Sequence, residues 1–257
     1  MEYLHFETRD RIGYITLNRP AKRNALNFEM VSELRGALKD MAEDDDIRVI
    51  VINARGKAFC AGADLAYLQQ MQNNTYEENL ADSRHLMELY YTIYTLNKVV
   101  IAQVQGYAIA GGCGLASVCD FVFATPDAKF GYTEVKIGFV PAIVMVFLLR
   151  RMSERHAREL LLTGDIVDVK KALDIGLINE IVPSAEIGAR VDEYAMHLIE
   201  SNSGQAIALT KQMIAAVQSS DLKNKLHYAA ETNARARNFT DCRAGIAAFL
   251  NKEEISW

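Results

Sequence analysis

Apolar and polar positions alternate at the front of the chain. "YLHFETR" and "YITLNRP" both carry this period of two, "DRIG" between them supplies a turn, and Pro20 closes the second run, so the first twenty residues predict a β-hairpin. The period then changes. In "NFEMVSELRGALKDMAEDD" the apolar residues Phe28, Met30, Val31, Leu34, Leu38 and Met41 recur at helical spacing, with Asn27 placed as N-cap. "IRVIVINA" reads as a buried strand, "RGKAFCAGADL" as a loop, and Glu77 to Leu96 as a long amphipathic helix. "VVIAQVQGYA" reads as a second apolar strand, followed by two adjacent glycines and a helix to Ser117. "CDFVFATPDAKFGYTE" predicts two short strands around a Pro126-Asp127 turn.

Beyond Pro141 the pattern is mostly helical, with one more strand in "LINEIVP". Helices are expected at 187–200, 203–218 and 220–237, and a short one at 241–250. The fold class is therefore α/β. The shift to unbroken helix near residue 190 predicts a core of 1–190 and a helical region of 191–257. That last region is too short and too amphipathic to hide its own apolar faces, so it should cover a neighbour.

Composition narrows the classes of function. The chain has 257 residues, 50% hydrophobic and 24% charged, which suits one large domain or a domain with an appendage. A net charge of −5 argues against nucleic acid or a membrane surface as the main partner. No apolar run reaches membrane-spanning length, and "MEYLHFETRD" carries acids where a secretion signal needs a basic start, so a cytoplasmic location is expected. Cys60, Cys113, Cys119 and Cys242 show no CxxC spacing and no nearby histidine, so reduced, packed thiols and no metal are expected.

Two short stretches carry the candidate chemistry. "FCAGADL" and "AIAGGCGLA" each follow an apolar run, use small residues at crowded positions and can lead into a helix. A helix start leaves backbone N–H groups unsatisfied at the positive end of the dipole. Two such turns facing each other would aim two amides at one oxygen, an oxyanion hole built without side chains. Neither stretch has GxGxxG spacing, and the chain has no GxSxG elbow or Walker lysine.

Taken in order, "TLNRPAKRNAL" (16–26), "GKAFCAGADL" (56–65), "GYAIAGGCGLASVCD" (106–120), "FGYTEVKIGFVP" (130–141), "LLTGDIVDVKKALDIGLINEIVP" (161–183) and a terminal "GIAAFLNK" resemble the enoyl-CoA hydratase/isomerase (crotonase) superfamily over nearly the whole chain. The resemblance implies a spiral of ββα units forming two nearly perpendicular sheets, with a C-terminal helical part covering the site. It implies an acyl-CoA substrate, no separate cofactor, and assembly as a homotrimer or a dimer of trimers. The oxyanion donors it implies are the N–H groups of Ala63 and Gly111. Ala61, Asp64, Leu65 and Ala66 would line the coenzyme A end, and Lys22 and Arg23 would meet its phosphates. Asp64 and Asp120 also read as cap or turn residues. Phe249 and Lys252 fall in a terminal piece that reaches a ligand in relatives.

Some single-glutamate members of this superfamily hydrate, but its usual hydratases carry two glutamates. One is present here as Glu134; the other position is Gly114, which leaves a single carboxylate at the expected substrate. In an apolar pocket Glu134 would have a raised pKa and could act as base and then acid. The reading placed first is reversible hydration of a 2-enoyl-CoA. The second is isomerisation of a 3-enoyl-CoA, which needs one base and the oxyanion hole; the third is acyl-CoA binding without turnover. Tyr132 and Thr133 read first as strand-edge packing and second as candidates to help hold a water. Leu86, Met87, Tyr90 and the stretch 143–147 are candidates for the acyl pocket, and Ala142, Ile143 and Val144 stand where some isomerases have an acid.

Overall fold

A computed structural model describes residues 2–64, 66–67, 74–218, 240 and 253. The hairpin forms as β1 (Leu4–Arg9) and β2 (Ile12–Leu17), antiparallel, with Asp10 and Arg11 at the turn. Helix α1 (Phe28–Glu43) follows, and the Asn27 side chain accepts a hydrogen bond from the Met30 amide as its cap. Then come β3 (Val49–Ala54), β4 (Ala58–Cys60), α2 (Tyr76–Thr95), β5 (Val99–Val104), β6 (Tyr107–Ile109) and α3 (Gly111–Val118). Strands β7 (Phe121–Ala124) and β8 (Lys129–Gly131) precede α4 (Ala142–Arg151) and α5 (Glu154–Thr163). The rest comprises β9 (Val167–Asp168), α6 (Val169–Asp174), β10 (Glu180–Ile181), α7 (Ile187–Ser201) and α8 (Gly204–Val217).

Each circuit of the chain gives one strand to each of two sheets. The larger has the order β1-β2-β3-β5-β7-β10 and the smaller β4-β6-β8-β9. From β2 to β10, and from β4 to β8, neighbours are parallel, as helical crossovers require. The apolar runs are buried on both faces. Ile50 and Ile52 of β3 point into the main core with Val100 and Ala102 of β5, while Val49 and Val51 join Val99 and Ile101 in a second core. Helix α7 seals that second core with Ile187, Val191, Ala195 and Ile199. The boundary expected at 190–191 therefore falls inside one helix that is packed on the large sheet.

Three expectations are corrected by the fold. "VVIAQVQGYA" is two strands in different sheets, because the chain bends at Gly106, where a Cβ would lie 2.0 Å from the Lys57 carbonyl oxygen. The "RGKAFCAGADL" loop contains β4. "LINEIVP" keeps only Glu180–Ile181 as strand, since Leu177 and Ile178 turn into the core and their amides bond to the Ala172 carbonyl at 2.8 and 3.3 Å. The helices expected at 220–237 and 241–250 lie outside the described residues.

Candidate active site

The first glycine turn leaves β4 and runs beside the segment after β2. The Leu26 amide donates to the Gly62 carbonyl at 2.7 Å, and the Asp64 amide donates to the Leu26 carbonyl at 2.8 Å. This short parallel bridge pairs Leu26 with Ala63 and leaves the exposed Ala63 N–H without a partner among the described residues. Buried Asn24 holds the neighbouring segment in place. Its side-chain amide donates to the carbonyls of Arg55 and Ala58 at 2.9 and 2.8 Å, and its oxygen accepts from the Arg19 amide at 2.8 Å. Sequence reasoning passed over Asn24, although it lies within one of the quoted family stretches.

The second turn leaves β6 through Ala110, whose φ of 51° and ψ of −124° are rarely adopted by a residue with a side chain. The Ala110 amide donates to the Gly131 carbonyl at 2.7 Å, and α3 begins at Gly111. As the first helical residue, Gly111 has an N–H with no partner inside its own helix. The two turns touch. A Cβ on Gly62 would lie 2.9 Å from the Ile109 oxygen and 3.5 Å from the Gly111 nitrogen, and one on Gly112 would lie 2.1 Å from the Cys60 oxygen. Glycine is what lets these backbones approach. Tyr90, fully buried on α2, donates its hydroxyl hydrogen to the Gly111 carbonyl at 2.7 Å.

Glu134 opens a short 3-10 turn (Glu134–Ile137) after β8, ended by Gly138 at φ +73°. Its side chain is 8% exposed, and its Oε2 has no hydrogen-bond partner among the described residues. Burial pushes its pKa above the ordinary 4.5. Gly131, three residues before Glu134, accepts from the Ala110 amide of the second turn, and its strand β8 pairs with β6, which leads into that turn. Tyr132 is fully buried, and its hydroxyl is shared with Ser117 at 2.9 Å beneath α3. That bond ties it to the core and fits packing as its role. Thr133 is half-buried at the start of the 3-10 turn and makes no side-chain capping bond.

Gly114 is buried in the first turn of α3, where a Cβ would lie 2.3 Å from Val144 Cγ1. Of the three residues expected to fill this region, Val144 alone lies against Gly114; Ala142 is exposed and Ile143 half-buried. Tyr90 lies behind the wall, edge-on to Phe147 with ring centroids 6.3 Å apart. Leu86 is half-buried against the main core and Met87 is exposed.

The remaining candidates flank the first turn. Lys22 and Arg23 are exposed at the end of a 3-10 turn (Pro20–Lys22), and the Arg23 carbonyl accepts from the Ala61 amide at 3.0 Å. Asp64 is buried and uses both carboxylate oxygens internally, accepting from Arg19 at 2.6 Å and from the Ala66 amide at 2.8 Å. These bonds fit the cap reading of Asp64. Asp120 accepts from the Val100 amide and from Lys211, also within the fold. Cys60, Cys113 and Cys119 are buried free thiols, pushed up to about 12 chiefly by desolvation. Leu65, Phe249 and Lys252 lie outside the described residues. Among the described residues no helix is long and apolar enough to cross a membrane.

Comparison with known proteins bears on the family and the fold. A family model described as enoyl-CoA hydratase/isomerase matches residues 7–257. A Thermus thermophilus protein, provisionally named an enoyl-CoA hydratase, is 41% identical over 241 residues, 94% of this chain and 95% of that one. The 2,3-dehydroadipyl-CoA hydratase of Escherichia coli is 33% identical over 256 residues, 98% and 97% of the two chains. The crystal structure of an enoyl-CoA hydratase from Mycobacterium smegmatis superposes with a TM-score of 0.92 at 30% identity, covering 99% of this chain and 98% of that one.

Proposed function

This chain belongs to the enoyl-CoA hydratase/isomerase family, and we propose that it hydrates a 2-enoyl-CoA reversibly with Glu134 as its one proton-transfer group. The single observation behind this reading is a buried carboxyl with an unpartnered oxygen, three residues beyond the strand that pairs with β6 at the second of two closely packed glycine turns. The thioester oxygen of the substrate takes hydrogen bonds from the Ala63 and Gly111 amides. Glu134 removes a proton from water as the water oxygen bonds to C3. The C2=C3 electrons move toward the thioester, and the enolate oxygen is held by the two amides. Glu134 then returns the proton to C2, so water is added overall and the carboxyl ends as it began. Donors fixed before charge develops lower the barrier by about 3–4 kcal/mol each. The raised pKa suits a group that must both accept and give a proton. Coenzyme A is part of the substrate, and the reaction needs no resident cofactor.

A second reading is double-bond isomerisation, favoured by Gly114, where relatives with two glutamates have the other carboxylate. Glu134 would then move one proton from C2 to C4 as the double bond shifts from C3=C4 to C2=C3. We also assign the chain to a homotrimer or a dimer of trimers. Exposed Ile137, Phe139 and Val140, which follow Glu134, with Leu162 of α5 and Ile166 just after that helix, support burial of this face between copies. Turnover of crotonyl-CoA and of 3-butenoyl-CoA by the wild type and by Glu134→Ala tests the reading. Loss of both activities in the variant supports it, and equal turnover removes Glu134 from the mechanism.

A further inference from the structure

We infer that Val144 sets reaction specificity by filling the volume a side chain at position 114 would need. This inference deepens the reading of Glu134 and the glycine turns given above and rests on it. Gly114 follows Gly111 by three residues, so both lie on the same face of α3. A Cβ on Gly114 would meet Val144 Cγ1 at 2.3 Å and Val144 Cβ at 3.1 Å, well inside the roughly 3.5–4.0 Å of favourable carbon contact. Val144 is held firmly in that place. It lies one turn before Leu148 on the buried stripe of α4, which starts directly after buried Pro141.

The Tyr90 hydroxyl lies 3.4 Å from the same Cβ position and already donates to Gly111. A carboxylate at 114 would therefore be desolvated beside a hydroxyl whose hydrogen is already committed. Gly114 and Val144 form a matched pair that keeps this wall apolar and leaves the proton work to Glu134.

The consequence differs between the two reactions. Hydration needs a water seated near Glu134, and a seated water needs two to four polar partners. Double-bond migration needs only the proton path from C2 to C4 through Glu134. Val144 thus leaves the hydrating water to be held from the Glu134 side alone, which slows hydration relative to migration without abolishing it. Trimming it opens a space bordered by the Tyr90 oxygen, which can accept a hydrogen bond from an entering water.

The test uses full-length wild type, Val144→Ala, Val144→Thr, Gly114→Ala and the Gly114→Ala/Val144→Ala double variant. Each is assayed for crotonyl-CoA hydration and 3-butenoyl-CoA isomerisation, and each is melted thermally. The ratio of hydration to isomerisation is expected to rise about tenfold in Val144→Ala. It should also rise in Val144→Thr, which keeps the volume and adds a hydroxyl. Gly114→Ala should lose thermal stability, and adding Val144→Ala should restore it. An unchanged ratio in both Val144 variants, or a Gly114→Ala penalty that is the same with either residue at 144, overturns the inference. Glu134→Gln run alongside separates the two readings. If it is inactive while the ratio is unmoved, the inference about Val144 fails alone; if it keeps wild-type turnover, the reading of Glu134 fails and this inference with it.

Discussion

The Tyr90 hydroxyl donates to the Gly111 carbonyl at 2.7 Å, joining the middle of α2 to the residue whose amide opens α3. The neighbouring Ala110 sits at φ 51°, so the turn holds backbone strain that a fully buried phenol helps to contain. Tyr90→Phe keeps the ring packing against Phe147 and deletes only the bond. It should cost about 1 kcal/mol of stability. If the bond also orients the Gly111 amide, kcat should fall about tenfold with little change in KM. Steady-state kinetics beside a denaturant melt checks this, and an unchanged kcat would confine Tyr90 to packing.

Glu134 should make stability depend on pH in a particular direction. Its folded pKa is raised by burial, so the native state holds a proton that the unfolded chain releases. Below the unfolded value the group is neutral in both states and costs nothing. As pH climbs through the unfolded value toward the folded one, stability is lost. Glu134→Gln should therefore melt like the wild type at low pH and at a higher temperature near neutrality, while losing about two to four orders of magnitude in kcat. Melting curves from acid to neutral pH check the sign; a gap that narrows as pH rises would contradict it.

Asp64 should behave in the opposite sense. Burial alone would raise its pKa, but the Ala66 amide and the Arg19 guanidinium outweigh this and hold it below the ordinary 3.8. Its contribution is present above the unfolded pKa and lost as pH falls through the folded one. Arg19→Met leaves a buried carboxylate short of its partner and should cost about 2–3 kcal/mol at neutral pH. The penalty should shrink in acid, as equilibrium unfolding at both pH values would reveal.

Lys211 of α8 reaches Asp120 at 2.6 Å and the Lys98 carbonyl at 2.9 Å, pinning that helix where β5 begins. Lys211→Met should leave Asp120 with one bond, to Val100, and lower stability by about 2–3 kcal/mol. Hydrogen exchange should accelerate first in 204–217, before the strands of the large sheet lose protection. Uniform acceleration would show that α8 is not tied independently.

Lys22 and Arg23 are exposed cations beside the Ala61 backbone. If they meet the coenzyme A phosphates, replacing both with alanine should raise KM about three- to tenfold with kcat unchanged. Added salt should narrow that difference by screening. A pantetheine thioester, which lacks the nucleotide, should not distinguish variant from wild type. Sensitivity of both substrates would point to a shape change in the loop.

Local pattern carried much of this protein. Alternation in β1 and β2, the Asn27 cap, the apolar runs of β3 and β5, and the glycines of both turns could be read within windows of a few residues, because dihedral freedom and side-chain period are local properties. Glu134 was legible from its motif, and Gly114 from a gap in that motif. The split of "VVIAQVQGYA" into two sheets was not, since the bend depends on Lys57 lying against Gly106. Nor were the clasp of Asn24 across Arg55 and Ala58, the diversion of Tyr132 to Ser117, or the seating of Val144 on Gly114. Those contacts join segments far apart in the chain. Which side chain fills a given space is decided only when the sheets and helices close around it.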